Sequence, residues 1–377
     1  MNVIRPADLK ELAAVLADAN SRGLAVRPQG GGTKQDWGNE PTRSGVTLST
    51  ARINQVVEHA WADLTVTVEA GCTVAALQRV LAARGQRLAV DPLWPEQATI
   101  GGVLSTNDTG ALRLSFGGLR DLILGVTLVL PDGTIAQSGG KVVKNVAGYD
   151  LPKLVTGALG TLGVITRATF RLYPLPMISK TLTFEFPDLG TTQRFVIAVQ
   201  GAKLAHTALQ LRVSGVDGKV HADVLLEGTE AGIAAQERVI CGIACTSPRD
   251  ASPDCWGARQ ALWRSSVAVA KFSVLPTDLA ATIAELQAVN APCSVVAQAT
   301  GLGTVAFDGP AAELASHVKN IRASIERTGG SLAVFRKPAS DMETWGSAGD
   351  ALPLMRALKN QFDPKHTLNP GRFVGGI

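Results

Sequence analysis

Residues 24–34 read Leu-Ala-Val-Arg-Pro-Gln-Gly-Gly-Gly-Thr-Lys, a short apolar strand that runs straight into three consecutive glycines. Glycine adopts backbone conformations that other residues avoid, so the N–H groups of such a run can converge on an anion without side chains in the way. We interpret 27–34 as a phosphate-binding loop, with a plain turn after a strand as the alternative for this segment taken alone. It matches neither the P-loop nor the dinucleotide-binding glycine pattern.

A second glycine-rich segment, 98–110, reads Ala-Thr-Ile-Gly-Gly-Val-Leu-Ser-Thr-Asn-Asp-Thr-Gly. Its hydroxyls and amides match a flat ring that carries several carbonyl and imino groups, and its glycines let the backbone approach the face of that ring. The segment lies in a run rich in Pro and Gly, from Asp91 to Gly118, which we predict to be a long irregular loop of the kind that usually carries function. A surface loop held by its own side chains explains the segment alone equally well.

A third segment has two parts: 144–151 reads Lys-Asn-Val-Ala-Gly-Tyr-Asp-Leu, and 157–166 reads Gly-Ala-Leu-Gly-Thr-Leu-Gly-Val-Ile-Thr. In the second part a glycine at every third position precedes a β-branched strand. This pattern permits close backbone packing or contact with a ligand, and the residues alone do not decide between them.

We interpret Pro174 and Pro176 as a domain boundary, because the pattern of predicted strands and helices changes there. Before this point, hydrophobic periodicity and turn residues predict helices over 7–20, 73–84 and 150–157 and strands over 24–28, 46–49, 64–69, 122–130, 134–137 and 163–173. After it, pairs of strands alternate with longer helices, which predicts an α+β domain whose antiparallel sheet is covered on one face. A last helix is predicted over 352–360.

Composition excludes several classes of protein. The chain has 377 residues, of which 46% are hydrophobic and 18% charged, as in ordinary globular proteins. Its net charge of +4 is scattered, which argues against nucleic-acid binding. The longest apolar stretch is too short to cross a bilayer, and five cysteines, an odd number, favour a reducing compartment; we therefore expect a cytoplasmic protein. Cys241, Cys245 and Cys255 lack the compact Cys-x-x-Cys spacing, and we expect no metal site.

Taken together, the three segments resemble the FAD-binding domain of the vanillyl-alcohol-oxidase/para-cresol-methylhydroxylase (PCMH) family. The similarity is closest to the glycolate oxidase subunits, and the shorter total length favours the FAD-binding E subunit of that group. It rests on runs reading IGGVLSTN from Ile100, GGLRDLILGVTLVLPDG from Gly117, VVKNVAGYDLPKL from Val142, GALGTLGVITRATFRLYPLP from Gly157 and FDPKHTLNPGRF from Phe362.

The resemblance implies an α+β fold in three parts. These are a two-part PCMH-type FAD-binding domain over 1–176, an α+β cap domain with an antiparallel sheet over 177–350, and a C-terminal segment, 351–377, that returns to the FAD domain. The Asn-Pro-Gly run at 369–371 would then lie near the flavin.

The resemblance also implies which residues hold FAD. Those expected around the pyrophosphate are Gly30, Gly31, Gly32, Thr33 and Lys34. Those expected along the ribityl chain and flavin ring are Pro92, Thr99, Ile100, Gly101, Ser105, Asn107 and Gly110. Those expected at the adenine half or the pyrimidine edge are Gly160, Gly163, Val164 and Ile165. Relatives with covalent flavin carry the attaching histidine in or beside the first glycine loop; this chain has Thr-Lys there, so we expect non-covalent FAD.

The departures from the family pattern concern catalysis. The catalytic relatives use a histidine-rich set in the second half, whereas the five histidines of this chain, at 59, 206, 221, 317 and 366, are isolated. No catalytic residue is therefore assigned. Asp108 stands where small residues are commoner and would repel a carboxylate substrate. Arg113 and Arg120 flank the flavin loop, and we favour a structural ion pair between Arg120 and Asp121; Lys144 is expected to fix its own loop.

We therefore expect an FAD-binding subunit of a glycolate (2-hydroxy acid) dehydrogenase complex. Its expected partners are a catalytic FAD subunit and an iron–sulfur subunit that passes electrons toward quinone, with the complex at the inner face of the inner membrane. Two alternatives remain: a self-sufficient FAD-dependent oxidoreductase acting on a small hydroxy acid or sugar, and a scaffold subunit that no longer binds flavin.

Overall fold

The computed structural model describes residues 2–43, 45–140, 148–214, 219–249, 251–252, 254–264, 266–288, 291–339 and 342–377. The predicted role of Lys144 lies outside these residues. The chain folds as two units. The first comprises Met1–Thr109, Phe116–Leu175 and Ala348–Ile377, and the second Gly110–Ser115 and Pro176–Ser347. The segment 110–115, which the sequence prediction placed in the first domain, thus belongs to the second unit.

The strands of the first unit are short and arranged in three sheets. In chain order they are β1 (Val3–Ile4), β2 (Ala25–Gln29), β3 (Gly45–Ser49), β4 (Val56–Ala60), β5 (Thr65–Glu69), β6 (Gln86–Arg87), β7 (Ile123–Val129), β8 (Ile135–Gly139), β9 (Val164–Arg171) and β10 (Tyr173–Pro174). The first three form a parallel sheet in the order β1-β3-β2. An antiparallel sheet has the order β4-β5-β9-β7-β8, and β6 pairs with β10.

Several helices of the first unit begin at side chains that cap them. The helices are α1 (Leu9–Ser21), α2 (Val74–Ala82), α3 (Ile100–Thr106), α4 (Arg113–Phe116), α5 (Leu119–Leu122), α6 (Leu151–Val155) and, near the C-terminus, α12 (Leu352–Phe362). Of α4, only Phe116 belongs to the first unit. The Asp8 carboxylate accepts from the N–H of Glu11 at 2.9 Å, and the Thr73 hydroxyl accepts from that of Ala76 at 3.2 Å. Each satisfies a donor that the first helical turn leaves open.

The second unit contains one antiparallel sheet of seven strands within the described residues. In chain order they are β11 (Ile178–Phe186), β12 (His206–Val213), β13 (Val220–Gly228), β14 (Ala268–Ser273), β15 (Cys293–Gln298), β16 (Leu302–Phe307) and β17 (Ser331–Arg336), and their order in the sheet is β11-β13-β12-β15-β16-β14-β17. Its helices are α7 (Leu189–Gly201), α8 (Glu230–Ala244), α9 (Ala258–Ala261), α10 (Leu279–Gln287) and α11 (Ala311–Arg327). The prediction of an α+β fold with an antiparallel sheet is confirmed.

Alternate side chains of β11 face opposite sides of the sheet of the second unit. Along β11 the side chains of Leu182, Phe184 and Phe186 are at most 3% exposed and belong to the core that the helices cover. On the other face Thr183 donates to the fully buried Asp223 at 2.8 Å, and Arg212 donates to both oxygens of that carboxylate at 2.6 and 2.9 Å. A carboxylate buried in this way is stable because every oxygen has a donor.

The prediction of one irregular loop from Asp91 to Gly118 is wrong in its middle, because 100–106 is the helix α3. Thr99 caps this helix by accepting from the N–H of Gly102 at 3.4 Å. Glycine disfavours a helix by roughly 1 kcal/mol relative to alanine in its interior, which hid α3 from sequence reasoning. Packing reverses that preference here, since a Cβ on Gly101 would lie 2.8 Å from the Cβ of Ala70.

Candidate functional site

Three segments of the first unit surround a cleft of about 620 Å³, counting the open space at its mouth. They are 28–35, 99–106 and 159–165, joined by Thr50 and Arg372. The structure thus brings together most of the residues that the sequence predicted for the site. Those that line the cleft are Gly30, Gly31, Gly32, Thr33, Lys34, Thr99, Gly101, Ser105, Gly160, Gly163, Val164 and Ile165.

The first glycine loop packs against the residues that precede α3. A Cβ added to Gly30 would lie 2.0 Å from the hydroxyl of Thr99, and one added to Gly31 would lie 1.8 Å from the carbonyl oxygen of Gln97. Gly32 has a φ of 75°, which favours glycine. The close approach of two backbones therefore depends on glycine at these positions, and the wall that results carries no side chains there.

Two arginine side chains hold the same loop in place. Arg27 donates through Nε to the Gln35 side chain at 2.6 Å and through Nη2 to the Gln35 carbonyl. Arg372, which is 4% exposed, donates to the carbonyl oxygens of Lys34 at 2.9 Å, Gln35 at 3.1 Å and Trp37 at 2.9 Å. Burial, followed by the charge of Arg27, lowers the pKa of Arg372 to about 10, so its guanidinium keeps its charge at neutral pH.

The ammonium group of Lys34 turns away from the role predicted for it. Its Nζ lies 3.3 Å from the Asp108 carboxylate and donates to the Leu93 carbonyl at 3.3 Å, with 4% of the lysine side chain and none of the Asp108 side chain exposed. Lys34 therefore contributes backbone to the cleft, while its charge balances a buried carboxylate. The expectation that Asp108 would repel a substrate is wrong, because a fully buried and paired carboxylate does not face a substrate.

The second segment contributes a helical edge to the cleft. Donors at the start of α3 are used within the protein: the N–H of Ile100 donates to Cys72 and that of Gly101 to Ala70, at 2.9 and 2.8 Å. Gly101, Gly102, Ser105 and Thr106 are left on the cleft wall. This edge offers small side chains and hydroxyls to a ligand.

The third segment is fixed by α3 on one side and by the C-terminal segment on the other. The N–H of Leu159 donates to the Ser105 carbonyl at 2.8 Å, and the Asn369 amide donates to the Leu159 carbonyl at 2.7 Å. Leu159 and Gly160 both have positive φ, 51° and 69°, so this turn is tightly constrained. The turn presents Gly160 and Gly163 to the cleft.

A buried ion pair anchors the C-terminal segment. Lys359 donates to the Thr161 carbonyl at 2.8 Å, to the Leu368 carbonyl at 2.9 Å and to Asp363 at 2.6 Å, and both charged side chains are at most 1% exposed. The Asp363 carboxylate also accepts from the N–H groups of Thr367 and Leu368, at 2.8 and 2.7 Å. Sequence reasoning placed the 369–371 run near the site but missed Arg372, Lys359 and Asp363.

Four predicted residues do not line the cleft. Ile100 is 2% exposed with its side chain in the core, and Pro92 is buried. Asn107 ends α3 with a φ of 47°, and Gly110 belongs to the second unit. The family resemblance implied contact for these four residues, but the helical turn of α3 carries Ile100 and Asn107 elsewhere.

Arg120 has partners other than the predicted one. Arg120 is structural, as favoured, but the predicted pairing with Asp121 is wrong: the guanidinium donates to the carbonyls of Lys153 and Thr156 at 3.1 and 2.7 Å, and Asp121 accepts from Gly118. Within the described residues no histidine, cysteine or tyrosine lines the cleft, and no group of acidic, histidine or cysteine side chains there is arranged to hold a metal.

This geometry fits FAD. A diphosphate needs backbone that it can approach without side chains in the way, which the glycine wall at Gly30–Gly32 offers, and a long ligand needs several segments along its length, which the three segments provide. Residues 2–139 match the family model described as FAD binding domain. This chain contains an FAD-binding domain. The predicted cofactor, FAD, is confirmed, and the family match covers residues 2–139 of the 377.

Three named proteins are also similar to this chain in sequence. The chain is 33% identical over 208 residues to "Glycolate oxidase subunit GlcD" of Bacillus subtilis and 36% identical over 198 residues to a D-lactate dehydrogenase of Archaeoglobus fulgidus. These alignments cover 55% and 52% of this chain and 44% of each relative, so the match spans less than half of those relatives. Against a mitochondrial D-lactate dehydrogenase [cytochrome] of Arabidopsis thaliana the identity is 26%, over 99% of this chain and 73% of the relative.

The fold as a whole is shared with a solved enzyme. A structure of alkyldihydroxyacetonephosphate synthase superposes with a TM-score of 0.73 over 98% of this chain and 77% of that chain, at 17% identity. An identity this low shows a common fold only. In the part of the chain that the structure describes, no helix has the length and apolar character needed to cross a membrane.

Proposed function

We propose that this chain is the FAD-binding subunit of a dehydrogenase complex that oxidises glycolate or a related 2-hydroxy acid. The observation that carries the proposal is the cleft itself, in which glycines of three segments form a wall suited to a dinucleotide. The names of the relatives, a glycolate oxidase subunit and D-lactate dehydrogenases, support the substrate class. A catalytic flavoprotein subunit and an iron–sulfur subunit passing electrons toward quinone are the proposed partners.

Bound FAD supplies hydride-accepting chemistry, and the residues of this chain bind and orient it. The backbone of Gly30–Gly32 is proposed to receive the pyrophosphate, with Arg372, which donates to the Lys34 carbonyl, as a fixed positive charge at the same loop. Ser105 and Thr106 offer hydroxyls, and the 159–165 turn closes the opposite wall. The cofactor is proposed to bind non-covalently, since the described cleft lining offers no histidine, cysteine or tyrosine for attachment.

Separation of binding from catalysis motivates the subunit assignment. A general base must come within hydrogen-bond reach of the hydroxyl proton, and the side chains best suited to that task are absent from the described cleft lining. His59 is engaged by Gln86 at 2.8 Å, and His206 is 8% exposed and belongs to the second unit. Substrate oxidation is therefore assigned to the partner subunit.

The experiment is purification of the chain alone, followed by assays of flavin content and turnover. We expect yellow protein with about one FAD per chain, complete release of FAD on acid precipitation, and negligible oxidation of glycolate or D-lactate. Colour retained on the precipitate would overturn non-covalent binding. Protein that never takes up FAD, yet stabilises a reconstituted complex, would establish the scaffold alternative.

A self-sufficient dehydrogenase is the second candidate, favoured by the alignment that covers 99% of this chain with a D-lactate dehydrogenase. Rapid mixing of the isolated flavoprotein with glycolate or D-lactate separates the two candidates. Bleaching of the flavin at a catalytic rate would support the self-sufficient enzyme and refute the subunit assignment. An unchanged flavin spectrum would support the subunit.

A further inference from the structure

An apolar cavity of the first unit has a lining distinct from that of the FAD cleft. It has a volume of about 510 Å³ and lies between α12 and the segment 154–162. Leu354, Met355 and Leu358 of α12 form one wall, and Leu162 lies on the wall opposite. Ligand pockets typically measure roughly 300–1,000 Å³ and are predominantly apolar, so the cavity has the size and lining of a binding site.

The helix α12 is unusual in what it buries. An amphipathic helix normally turns its apolar stripe to the core. In α12 the fully buried residue is Lys359, whereas Leu354 is 65% exposed and looks onto the cavity. Leu354 and Leu358 are four residues apart and therefore share a face. Lys359 has hydrogen-bond partners inside the protein, whereas the leucines line a cavity that a ligand can enter.

Two cationic side chains also line the cavity. Arg120 and Lys153 line it together with the leucines. Arg120 donates two hydrogen bonds, to the carbonyls of Lys153 and Thr156. Its other guanidinium N–H groups have no partner among the described residues. Lys153 pairs with Asp150 at 2.7 Å but is 55% exposed. Arginine favours carboxylates, to which it can donate two parallel hydrogen bonds.

We propose that this cavity binds an aliphatic carboxylate, with its chain along the α12 leucines and its carboxylate at Arg120. The site shares a wall with the FAD cleft, because one short segment lines both spaces: Ala158, Thr161 and Leu162 line the cavity, and Leu159 and Gly160 line the cleft. An occupant therefore supports the turn that the cofactor contacts. The proposal does not depend on which reaction the protein catalyses.

The test uses the FAD-loaded full chain and the fluorescence of dansylated undecanoate. We expect saturable binding that decanoate displaces and decyltrimethylammonium, which has the same tail and the opposite charge, does not. Leu354→Glu places a carboxylate in the cavity and should weaken probe binding about tenfold or more. The matched control is Leu275→Glu, whose parent leucine is 63% exposed in the second unit, and it should bind as the parent does.

Arg120→Gln provides a second variant, and FAD content is measured on every sample. Leu354→Glu should retain FAD, which distinguishes failure of this site from failure of the FAD cleft. Absence of probe binding, equal displacement by decyltrimethylammonium, or unchanged affinity in Leu354→Glu would each overturn the proposal. Weaker binding in both Leu354→Glu and Arg120→Gln, with normal binding in Leu275→Glu, would support it.

Discussion

Replacement of Lys359 by methionine tests whether the C-terminal segment holds the cleft together. The substitution keeps the length of the side chain but removes the charge and three donated hydrogen bonds, to Thr161, Leu368 and Asp363. Asp363 would remain a buried carboxylate with only its backbone donors. Removal of one partner from a buried pair costs about 3–5 kcal/mol, a large part of the roughly 5–15 kcal/mol that stabilises a typical domain.

The assay is urea unfolding at neutral pH. With a urea dependence of about 2 kcal/mol per molar, a loss of 3–5 kcal/mol lowers the unfolding midpoint of the first unit by about 1.5–2.5 M. Hydrogen exchange localises the effect, because the N–H groups of Thr367 and Leu368, held by Asp363, should lose protection. FAD affinity should also fall, since Thr161 adjoins Gly160 on the cleft wall.

Lys365→Met is the matched control, because Lys365 is exposed and donates only a long hydrogen bond, 3.3 Å, to the Asn20 carbonyl. Surface changes of this kind stay within about 0.5 kcal/mol. Equal midpoints for Lys359→Met and Lys365→Met would refute the reasoning. Loss of stability without loss of protection at 367–368 would refute the assignment of Asp363 as the anchor of that segment.

Three further predictions concern the cleft and the second unit. Gly31→Ala should abolish FAD binding, because its Cβ would lie 1.8 Å from the Gln97 oxygen; Gly242→Ala, in a helix with open space around it, should keep FAD and gain about 0.5–1 kcal/mol in stability. Arg372→Met should weaken FAD binding by about tenfold, measured by flavin titration, and Arg372→Lys should restore only part of it, since three carbonyls use its fork. Burial lowers the pKa of His206 below its ordinary value of 6.5. Below pH 6.5 the unfolded chain therefore binds more protons than the folded chain, and the free energy of unfolding falls by at most about 1.4 kcal/mol per pH unit. Thermal melts of His206→Leu should show a smaller loss of stability on acidification.

Local patterns in the sequence sufficed for much of this fold. The alternation in β11 and the capping residues Asp8 and Thr73 act between near neighbours, so the strands and helices they define could be predicted. Helix α3 could not, because its glycines are tolerated only through contact with Ala70, thirty-one residues earlier in the chain. Intrinsic propensity decides where tertiary packing is indifferent, and at α3 packing decides.

The candidate site divides in the same way. Glycines mark the cleft in the sequence because their backbone contacts the ligand space directly, whereas charge carries no such mark. Lys34 adjoins the glycine loop in the sequence, yet its ammonium group pairs with Asp108. The positive charge that contacts the loop backbone belongs to Arg372, which is hundreds of residues away in the sequence. A lysine beside a glycine-rich loop can therefore be assigned to a bound anion only when the structure shows that no buried carboxylate pairs with it. A site built from backbone can be read from sequence, but the charges that tune it require the fold.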